Sequence, residues 1–149
     1  MDLKIKNKRV LITGASNGIG KTLAYQFAKE GCKLTLLARS KNKLNKIVKD
    51  LGGEKKGHFF FSVDLLPLGN AERISKKILK TIGTHEIIIH CVGGGLGIKN
   101  LFSSYSDWQK VFRFNVGIGI EINNVFIKSL IKKKWGRIIH VSSIAAKNA

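Results

Sequence analysis

Apolar residues follow two alternating patterns along the chain. Short unbroken aliphatic runs are typical of strands buried on both faces, and apolar residues recurring every three or four positions are typical of helices with one buried face. The runs predict five strands, over residues 9–13, 33–38, 58–63, 86–92 and 137–141. The periodic segments predict helices over residues 18–30, 41–51, 70–82 and 106–134. This alternation predicts an α/β fold whose parallel sheet is covered on both faces.

Local signals mark several helix ends. Gly31 is expected to stop the first helix. Asn70 is expected to cap the third helix at its N terminus. Ser106 precedes Gln109 by three residues, a spacing that predicts a capping box at the start of the last helix. Glycines at 117 and 119 suggest a bend within that helix.

Composition narrows the class of protein. A chain of 149 residues can bury one core, and 44% hydrophobic residues argue against disorder. No apolar run reaches the roughly 18 residues that span a bilayer, and residues 1–6 lack the apolar stretch of a signal peptide, so we expect none there. Cys32 and Cys91 lie in apolar runs and are predicted to be buried free thiols. These features together favour a cytoplasmic protein.

The charge is strongly positive. The chain carries 27 basic and 9 acidic residues, for a net charge of +18. Nucleic acid or an anionic membrane could explain this charge. The lysines are scattered over solvent faces, however, as in residues 41–51, where Leu44, Ile47, Val48 and Leu51 form the inward stripe. We therefore expect no specific nucleic-acid partner and no membrane partner.

The candidate chemistry begins where the first predicted strand ends. Residues 13–20 read Thr-Gly-Ala-Ser-Asn-Gly-Ile-Gly and lead directly into the first helix. Glycines allow a tight turn and close approach of a diphosphate, and the helix N terminus presents unpaired N–H groups to the anion. An ordinary glycine-rich turn would not need so many small residues. We interpret this loop as a phosphate site formed by Gly14, Ser16, Asn17, Gly18, Ile19 and Gly20.

Residues 8–143 resemble the short-chain dehydrogenase/reductase family, and among its members the 3-oxoacyl-carrier-protein reductases. Residues 13–20 match the family's Thr-Gly-x-x-x-Gly-x-Gly loop in full. The resemblance implies a Rossmann-type doubly wound parallel sheet. It also implies an oxidoreductase that passes hydride between nicotinamide and a small carbonyl or alcohol substrate, and that forms homo-oligomers at full length.

The end of the second strand bears on the choice of cofactor. The family position for a carboxylate, which would grip a free ribose 2′-OH, is here Ala38, followed by Arg39 and Ser40. A guanidinium can pair with a 2′-phosphate through two N–H groups. This pattern favours NADP over NAD. The alternative is that Arg39 is one of many surface cations.

Other cofactor positions follow from the resemblance alone. Asp64 and Leu65 would hold and wall the adenine. Residues 90–93 read His-Cys-Val-Gly where the family has Asn-Asn-Ala-Gly, so Val92 and Gly93 would contact the ribose through the backbone. His90 and Cys91 are adjacent on a predicted strand and point to opposite faces, which makes them a poor metal pair. We expect no metal site.

Two catalytic positions also follow from the resemblance. Asn115 matches the helix asparagine that supports the family's proton relay. Ser143 matches the serine at the end of the fifth strand, whose hydroxyl would bond the substrate carbonyl as charge develops on oxygen. Ser142 is the alternative, as a polar strand-end residue facing the other way.

The family's proton donor is missing from this pattern. It is a tyrosine in a Tyr-x-x-x-Lys segment after the serine, and the match at Tyr25 and Lys29 falls in the first helix, away from the reactive end of the cofactor. We therefore expect residues 1–149 to form one NAD(P)-binding domain, incomplete at its C terminus after the fifth strand and inactive alone. A non-catalytic nucleotide-binding module and a basic interaction protein are the alternatives.

Overall fold

A single parallel sheet organises the described part of the chain. The computed structural model describes residues 3–98, 100 and 102–143. Its strand order is β3-β2-β1-β4-β5, and every neighbouring pair is parallel. The strands are β1 (Arg9–Thr13), β2 (Lys33–Ala38), β3 (Phe59–Ser62), β4 (Ile87–His90) and β5 (Arg137–His140). The predicted α/β Rossmann-type fold is thus confirmed, and the order of the strands reverses between β1 and β4.

Helices connect the strands at every crossover. They are α1 (Gly18–Lys29), α2 (Lys41–Asp50), α3 (Asn70–Thr81), α4 (Tyr105–Phe112) and α5 (Ile118–Lys133). The predicted helix over residues 106–134 is interrupted by a π-helical turn, Arg113–Gly117, so the irregularity lies at the first of the two glycines proposed to bend it. Among the described residues, no helix has both the length and the apolar character required to cross a membrane.

The structure corrects two of the predicted helix starts. Gly69, in the left-handed region at φ 78°, is the N-cap of α3, and Asn70 is already helical. Ser104, not Ser106, forms the capping box of α4, because its hydroxyl accepts from the Asp107 amide while that carboxylate accepts from the Ser104 amide. The stop at Gly31 is as predicted, since this residue adopts φ 75° just beyond α1.

The core lies in two layers, one on each face of the sheet. Val10 and Ile12 of β1 pack with side chains of α1 and α2, whereas Leu11 between them packs with side chains of α3 and α5. This alternation explains the unbroken aliphatic runs, because every residue of a central strand meets a helix. Burial of one such aliphatic side chain contributes roughly 1.5–3 kcal/mol to the free energy of folding.

The edges of the sheet differ from its centre. β3 is only partly buried, and all four residues of β5 are exposed. β4 ends at His90 because its ladder with β1 stops at Thr13, so Cys91 lies beyond the sheet and is half-buried. The prediction of a buried, strand-borne thiol therefore fails for Cys91. Cys32 is buried as predicted, but it lies one residue before β2.

Candidate cofactor and active site

A cleft of about 490 Å³ opens at the carboxyl ends of the central strands. It lies where the strand order reverses between β1 and β4, which is where open α/β sheets bind their ligands. The cleft brings together all the predicted cofactor residues except Gly18, Ile19 and Gly20. The described residues that line it are Gly14, Ser16, Asn17, Ala38, Arg39, Ser40, Lys43, Val63, Asp64, Leu65, Cys91, Val92, Gly93 and Phe114.

Close backbone packing requires glycine at two positions of the phosphate loop, Gly14 and Gly20, whereas Gly18 has open space at φ +49°. A Cβ at Gly14, where φ is +65°, would lie 2.9 Å from the Cys91 carbonyl oxygen. A Cβ at Gly20 would lie 2.5 Å from the Gly14 carbonyl oxygen. Any larger residue at either position must displace backbone. Gly18 and Gly20 do not line the cleft, but they let the loop fold back so that α1 starts beside it.

The start of α1 is suited to an anion. Within the described chain, the side chain of Asn17 makes no capping hydrogen bond to α1, and the first turn of α1 contains no acidic residue. The first amide groups of the helix are therefore left without a side-chain acceptor, and the helix dipole favours negative charge there. Ile19 is 59% exposed and its side chain takes no part in the cleft.

Two cations lie at the end of the cleft beyond β2. Arg39 follows the strand, and its carbonyl accepts a 2.7 Å hydrogen bond from the Ser62 hydroxyl. Lys43, in the first turn of α2, donates a 3.0 Å hydrogen bond to the Asn17 side-chain oxygen. Sequence reasoning missed Lys43 among the solvent lysines. A lysine in the first turn of a helix opposes the helix dipole, and that unfavourable placement could have identified it.

The part of the cleft formed by the residues after β3 is more apolar. Leu65 is buried, and Val63 and Phe114 face the same space. Asp64 accepts a 3.0 Å hydrogen bond from the Leu66 amide, which fixes the turn after β3. A planar ring with one polar edge would fit between these apolar side chains and the Asp64 carboxylate. Phe114 was not predicted, because it reaches the cleft from the distant π-helical turn.

A second cavity, of about 690 Å³, adjoins the first through Cys91 and Gly93; we call it the reaction cavity. Both predicted catalytic residues, Asn115 and Ser143, line it. Ser142 lines it as well. The remaining described residues of its wall are Gly94, Val116, His140 and Val141.

Asn115 holds the loop that follows β4. Its Oδ1 accepts a 2.9 Å hydrogen bond from the Gly94 amide, and its Nδ2 donates to the carbonyls of Gly94 at 2.9 Å and Val111 at 2.8 Å. A Cβ at Gly93 would lie 2.8 Å from the Asn115 Oδ1. The residue sits in the π-helical turn, and such turns often occur at functional sites.

A pair of histidines lies beside the reaction cavity, and one of them, His140, lines it. His90 and His140 are register partners on β4 and β5, and their rings stack 4.4 Å apart. His90 Nε2 lies 2.9 Å from the Asn123 Oδ1, while its Nδ1 has no hydrogen-bond partner among the described residues. Burial and the neighbouring His140 together lower the pKa of His90 to about 4, although the Asn123 hydrogen bond acts in the opposite direction. His140 was not predicted to lie at the site.

Tyr25 lies far from this chemistry. Its hydroxyl donates a 3.0 Å hydrogen bond to Asp50, and it faces a different hollow, lined by residues such as Lys6 and Cys32. Burial and Asp50 raise the pKa of Tyr25, the opposite of what a general acid near neutrality needs. The structure therefore does not bring Tyr25 and Lys29 to the cleft.

The parallel sheet, the glycine loop at its switch point and the adjoining Asn–Ser cavity define a Rossmann-type α/β domain. Residues 8–149 match the family model described as short chain dehydrogenase. The chain belongs to this oxidoreductase family.

Individual relatives agree with this assignment. The chain is 28% identical to the 3-oxoacyl-[acyl-carrier-protein] reductase of Buchnera aphidicola, over 95% of this chain and 57% of that protein. It is 25% identical to an uncharacterized oxidoreductase of Staphylococcus epidermidis, over 95% of this chain and 60% of the relative. The L-sorbose reductase of Gluconobacter frateurii, solved with NADPH and L-sorbose, superposes with a TM-score of 0.87 at 27% identity, over 99% of this chain and 57% of that one. The chain thus spans about half to three-fifths of their lengths.

Proposed function

We propose that this chain is the cofactor-binding portion of an NADP-dependent short-chain oxidoreductase, which transfers hydride between nicotinamide and a carbonyl or alcohol substrate. The observation that carries the cofactor choice is the pair of cations, Arg39 and Lys43, at one end of the cleft. Among the described residues lining the cleft, Asp64 is the one carboxylate, and it follows β3, the strand beside β2. The NADPH bound to the sorbose reductase adds support.

The residues present fit the parts of this cofactor. The diphosphate would lie on the glycine loop and the N terminus of α1, where a Cβ at Gly14 or Gly20 would distort the backbone. Arg39, Ser40 and Lys43 would hold the 2′-phosphate, because guanidinium and ammonium groups donate charge-assisted hydrogen bonds. The adenine would lie against Asp64, Leu65 and Phe114. Val92 and Gly93 would contact the nicotinamide ribose.

The cofactor, when bound, would supply or accept the hydride. In the reaction cavity, Ser143 would donate a hydrogen bond to the substrate oxygen, and Asn115 would keep the Gly94 loop in place. None of the described residues lining this cavity is a tyrosine. We therefore propose cofactor binding and substrate orientation, and not turnover, as the activity of these 149 residues. Homo-oligomerisation, a cytoplasmic location and the lack of a nucleic-acid partner stay predictions.

Titration with NADPH and NADH tests this proposal. NADPH should quench the fluorescence of the folded protein at lower concentration than NADH. Arg39→Ala and Lys43→Ala should each weaken NADPH binding by roughly tenfold, the equivalent of about 1.4 kcal/mol, and leave NADH binding unchanged. Lys46→Ala is the matched control, since Lys46 is an exposed lysine of α2 outside the cleft.

Two results would contradict the proposal. Folded protein that binds neither dinucleotide would remove the cofactor function altogether. Equal affinities for NADPH and NADH, unchanged in Arg39→Ala, would remove the NADP preference alone.

A non-catalytic nucleotide-binding module is the second candidate, favoured by the absence of a tyrosine from the described wall of the reaction cavity. Both candidates bind NADPH and neither turns it over with these 149 residues, so the discriminating measurement is whether small ketones and aldehydes bind to the NADPH complex. Ketone binding that Ser143→Ala weakens supports the cofactor-binding portion of an enzyme. Tight NADPH binding without ketone binding, or with ketone binding that Ser143→Ala leaves unchanged, supports the module.

A further inference from the structure

A partly buried ion pair lies between the adenine end of the cleft and the reaction cavity. Arg113 Nη1 is 2.8 Å from Glu121 Oε1, and each side chain is only 16% exposed. Arg113 begins the π-helical turn that carries Asn115, and Glu121 lies in the first turn of α5. Removing both charges from water costs free energy. The net contribution of such a pair to stability therefore depends on whether its remaining polar atoms find hydrogen-bond partners.

Arg113 satisfies its remaining donors with backbone carbonyls of the loop between β3 and α3. Its Nε donates to the Leu66 carbonyl at 3.1 Å. Its Nη2 donates to the carbonyls of Leu65 at 3.3 Å and Pro67 at 3.2 Å. One guanidinium therefore fixes three successive residues of this loop.

Glu121 holds the far end of the same loop through its amide groups. Its Oε1 accepts from the Gly69 amide and its Oε2 from the Glu72 amide, each at 3.2 Å. Burial raises the pKa of Glu121, but the hydrogen bonds from Arg113 and these two amides outweigh it, so the pKa lies below its usual value. The Glu121 carboxylate is thus ionised at neutral pH and lies against amide hydrogens, while the Arg113 guanidinium lies against carbonyl oxygens.

The segments that this pair joins line different parts of the site. Asp64 and Leu65, at the start of the loop, form the wall assigned to adenine. Phe114 of the π-helical turn faces that wall, and Asn115 next to it faces the reaction cavity. A movement of the loop relative to the turn would change both places together.

We propose that Arg113 and Glu121 are positioning residues that hold the adenine wall and the Asn115 turn as one unit. A ligand that binds at the adenine end therefore changes the surroundings of Asn115. The inference rests on the proposed cofactor function and deepens it. Neither residue touches the reacting atoms. Their effect is a coupling between two parts of one site, carried by contiguous hydrogen bonds.

The test uses adenosine 2′,5′-bisphosphate, which contains the adenine half of NADP and lacks the nicotinamide half. Nuclear magnetic resonance follows the side-chain amide of Asn115 and the backbone amide of Gly94 during titration. In the wild-type protein, both resonances should shift as the probe binds. In Arg113→Met, the affinity should fall roughly tenfold, which corresponds to loss of about 1.4 kcal/mol. At saturation, the shifts at Asn115 and Gly94 should be lost.

Saturation separates coupling from a direct effect of the adenine ring. A ring-current shift would persist in the saturated variant, whereas a shift transmitted through Arg113 would not. Arg113→Lys should recover part of the shift, because an ammonium keeps the charge but lacks the planar fork. Glu121→Gln, which keeps an acceptor oxygen, provides a second variant should Arg113→Met fold poorly, and it should reduce the shift.

Lys133→Met is the matched control. Lys133 Nζ lies 2.9 Å from Glu86 Oε1, and Glu86 also accepts from a backbone amide, that of Arg9, at the amino ends of the central strands β1 and β4, away from the cleft. This variant should lower the melting temperature and leave both the affinity for the probe and the Asn115 shift unchanged.

The outcomes separate the two proposals. A folded wild-type protein that does not bind the probe would refute the cofactor function. Binding without a shift at Asn115, a full shift in saturated Arg113→Met, or an equal loss of shift in Lys133→Met would overturn the coupling and leave the cofactor function standing.

Discussion

The phosphate end of the cleft and the reaction cavity are built in different ways. The phosphate end consists mainly of backbone: a glycine loop between β1 and α1, set beside strands whose inner residues are fully buried. The reaction cavity consists of side chains from separate elements, Asn115 in a π-helical turn and His140 and Ser143 in and after an exposed strand. The phosphate end therefore depends on packing between neighbouring backbone segments. The reaction cavity depends on the relative positions of elements that are distant along the chain.

This contrast predicts which substitutions and conditions should disturb each of the two regions. The phosphate end should fail when its close backbone contacts are disturbed, and it should tolerate changes in surface side chains outside the cleft. The reaction cavity should respond to protonation, to loss of single hydrogen bonds and to fraying of α4.

The largest effect is expected for Gly20→Ala. Its Cβ would lie 2.5 Å from the Gly14 carbonyl oxygen, so the loop itself must move. We expect NADPH affinity to fall by about 100-fold or more, equivalent to about 3 kcal/mol, in a fluorescence titration. Gly53→Ala is the control, because Gly53 has φ +70° but open space around it. It should cost roughly 1–3 kcal/mol in stability, because φ 70° with ψ −161° strains any residue but glycine, and it should leave NADPH affinity unchanged. Normal NADPH binding by Gly20→Ala would contradict the dependence of the phosphate end on backbone packing.

A somewhat smaller effect is expected from acid at the reaction cavity. The folded-state pKa of His90 is about 4, below the value near 6.5 of an unfolded chain. The unfolded state therefore binds more protons between these values, and stability is lost as the pH falls from about 6.5 to 4. For His90 alone, the free energy of unfolding should drop by about 2.5 kcal/mol between pH 7.5 and 4.5.

Urea denaturation at several pH values measures this loss. His85, buried against Thr35, also has its pKa lowered to about 4, so it adds a slope of the same sign. His90→Asn should remove its own share and leave that of His85. An unchanged pH dependence in His90→Asn would show that the histidine pair does not make this end acid-sensitive.

The sequence was sufficient to predict those residues of the cleft whose position depends only on their neighbours along the chain. The glycine loop, Arg39 and Asp64 each follow directly after a strand, and the ends of parallel strands meet at one edge of a sheet. Two-sided burial of the central strands could be anticipated from their aliphatic runs, whereas the aliphatic run of β5 is exposed. These features need no knowledge of how distant helices pack.

The sequence was insufficient where a contact depends on helix rotation or loop path. Lys43 and Phe114 reach the cleft only because of the faces that α2 and the π-helical turn present to it. Arg113 and Glu121 are eight positions apart, and nothing in their spacing indicates a shared loop as their partner. The capping box was placed two residues late because Ser104 and Ser106 both precede an acceptor by three, at Asp107 and Gln109.

Asn115→Ala should separate the two ends of the site. It removes the hydrogen bonds to Gly94 and Val111. Since the residue is exposed, we expect a loss of only about 1–1.5 kcal/mol in stability. NADPH affinity should fall several-fold, whereas adenosine 2′,5′-bisphosphate affinity should change less than twofold. Calorimetric titration with both ligands measures the two affinities. An equal loss of affinity for the two ligands would contradict the separation of the phosphate end from the reaction cavity.

The smallest effect is expected at the start of α4, which leads into the π-helical turn that carries Asn115. Ser104→Ala removes the capping box with Asp107 and should cost about 1 kcal/mol. Hydrogen exchange should accelerate in α4 and the π-helical turn, while the amides of β1 and the glycine loop keep their protection. Ser106→Ala, at the position first expected to be the cap, should change neither. Equal acceleration at the glycine loop would mean that the two ends open together, since local opening of α4 cannot expose amides that it does not contact.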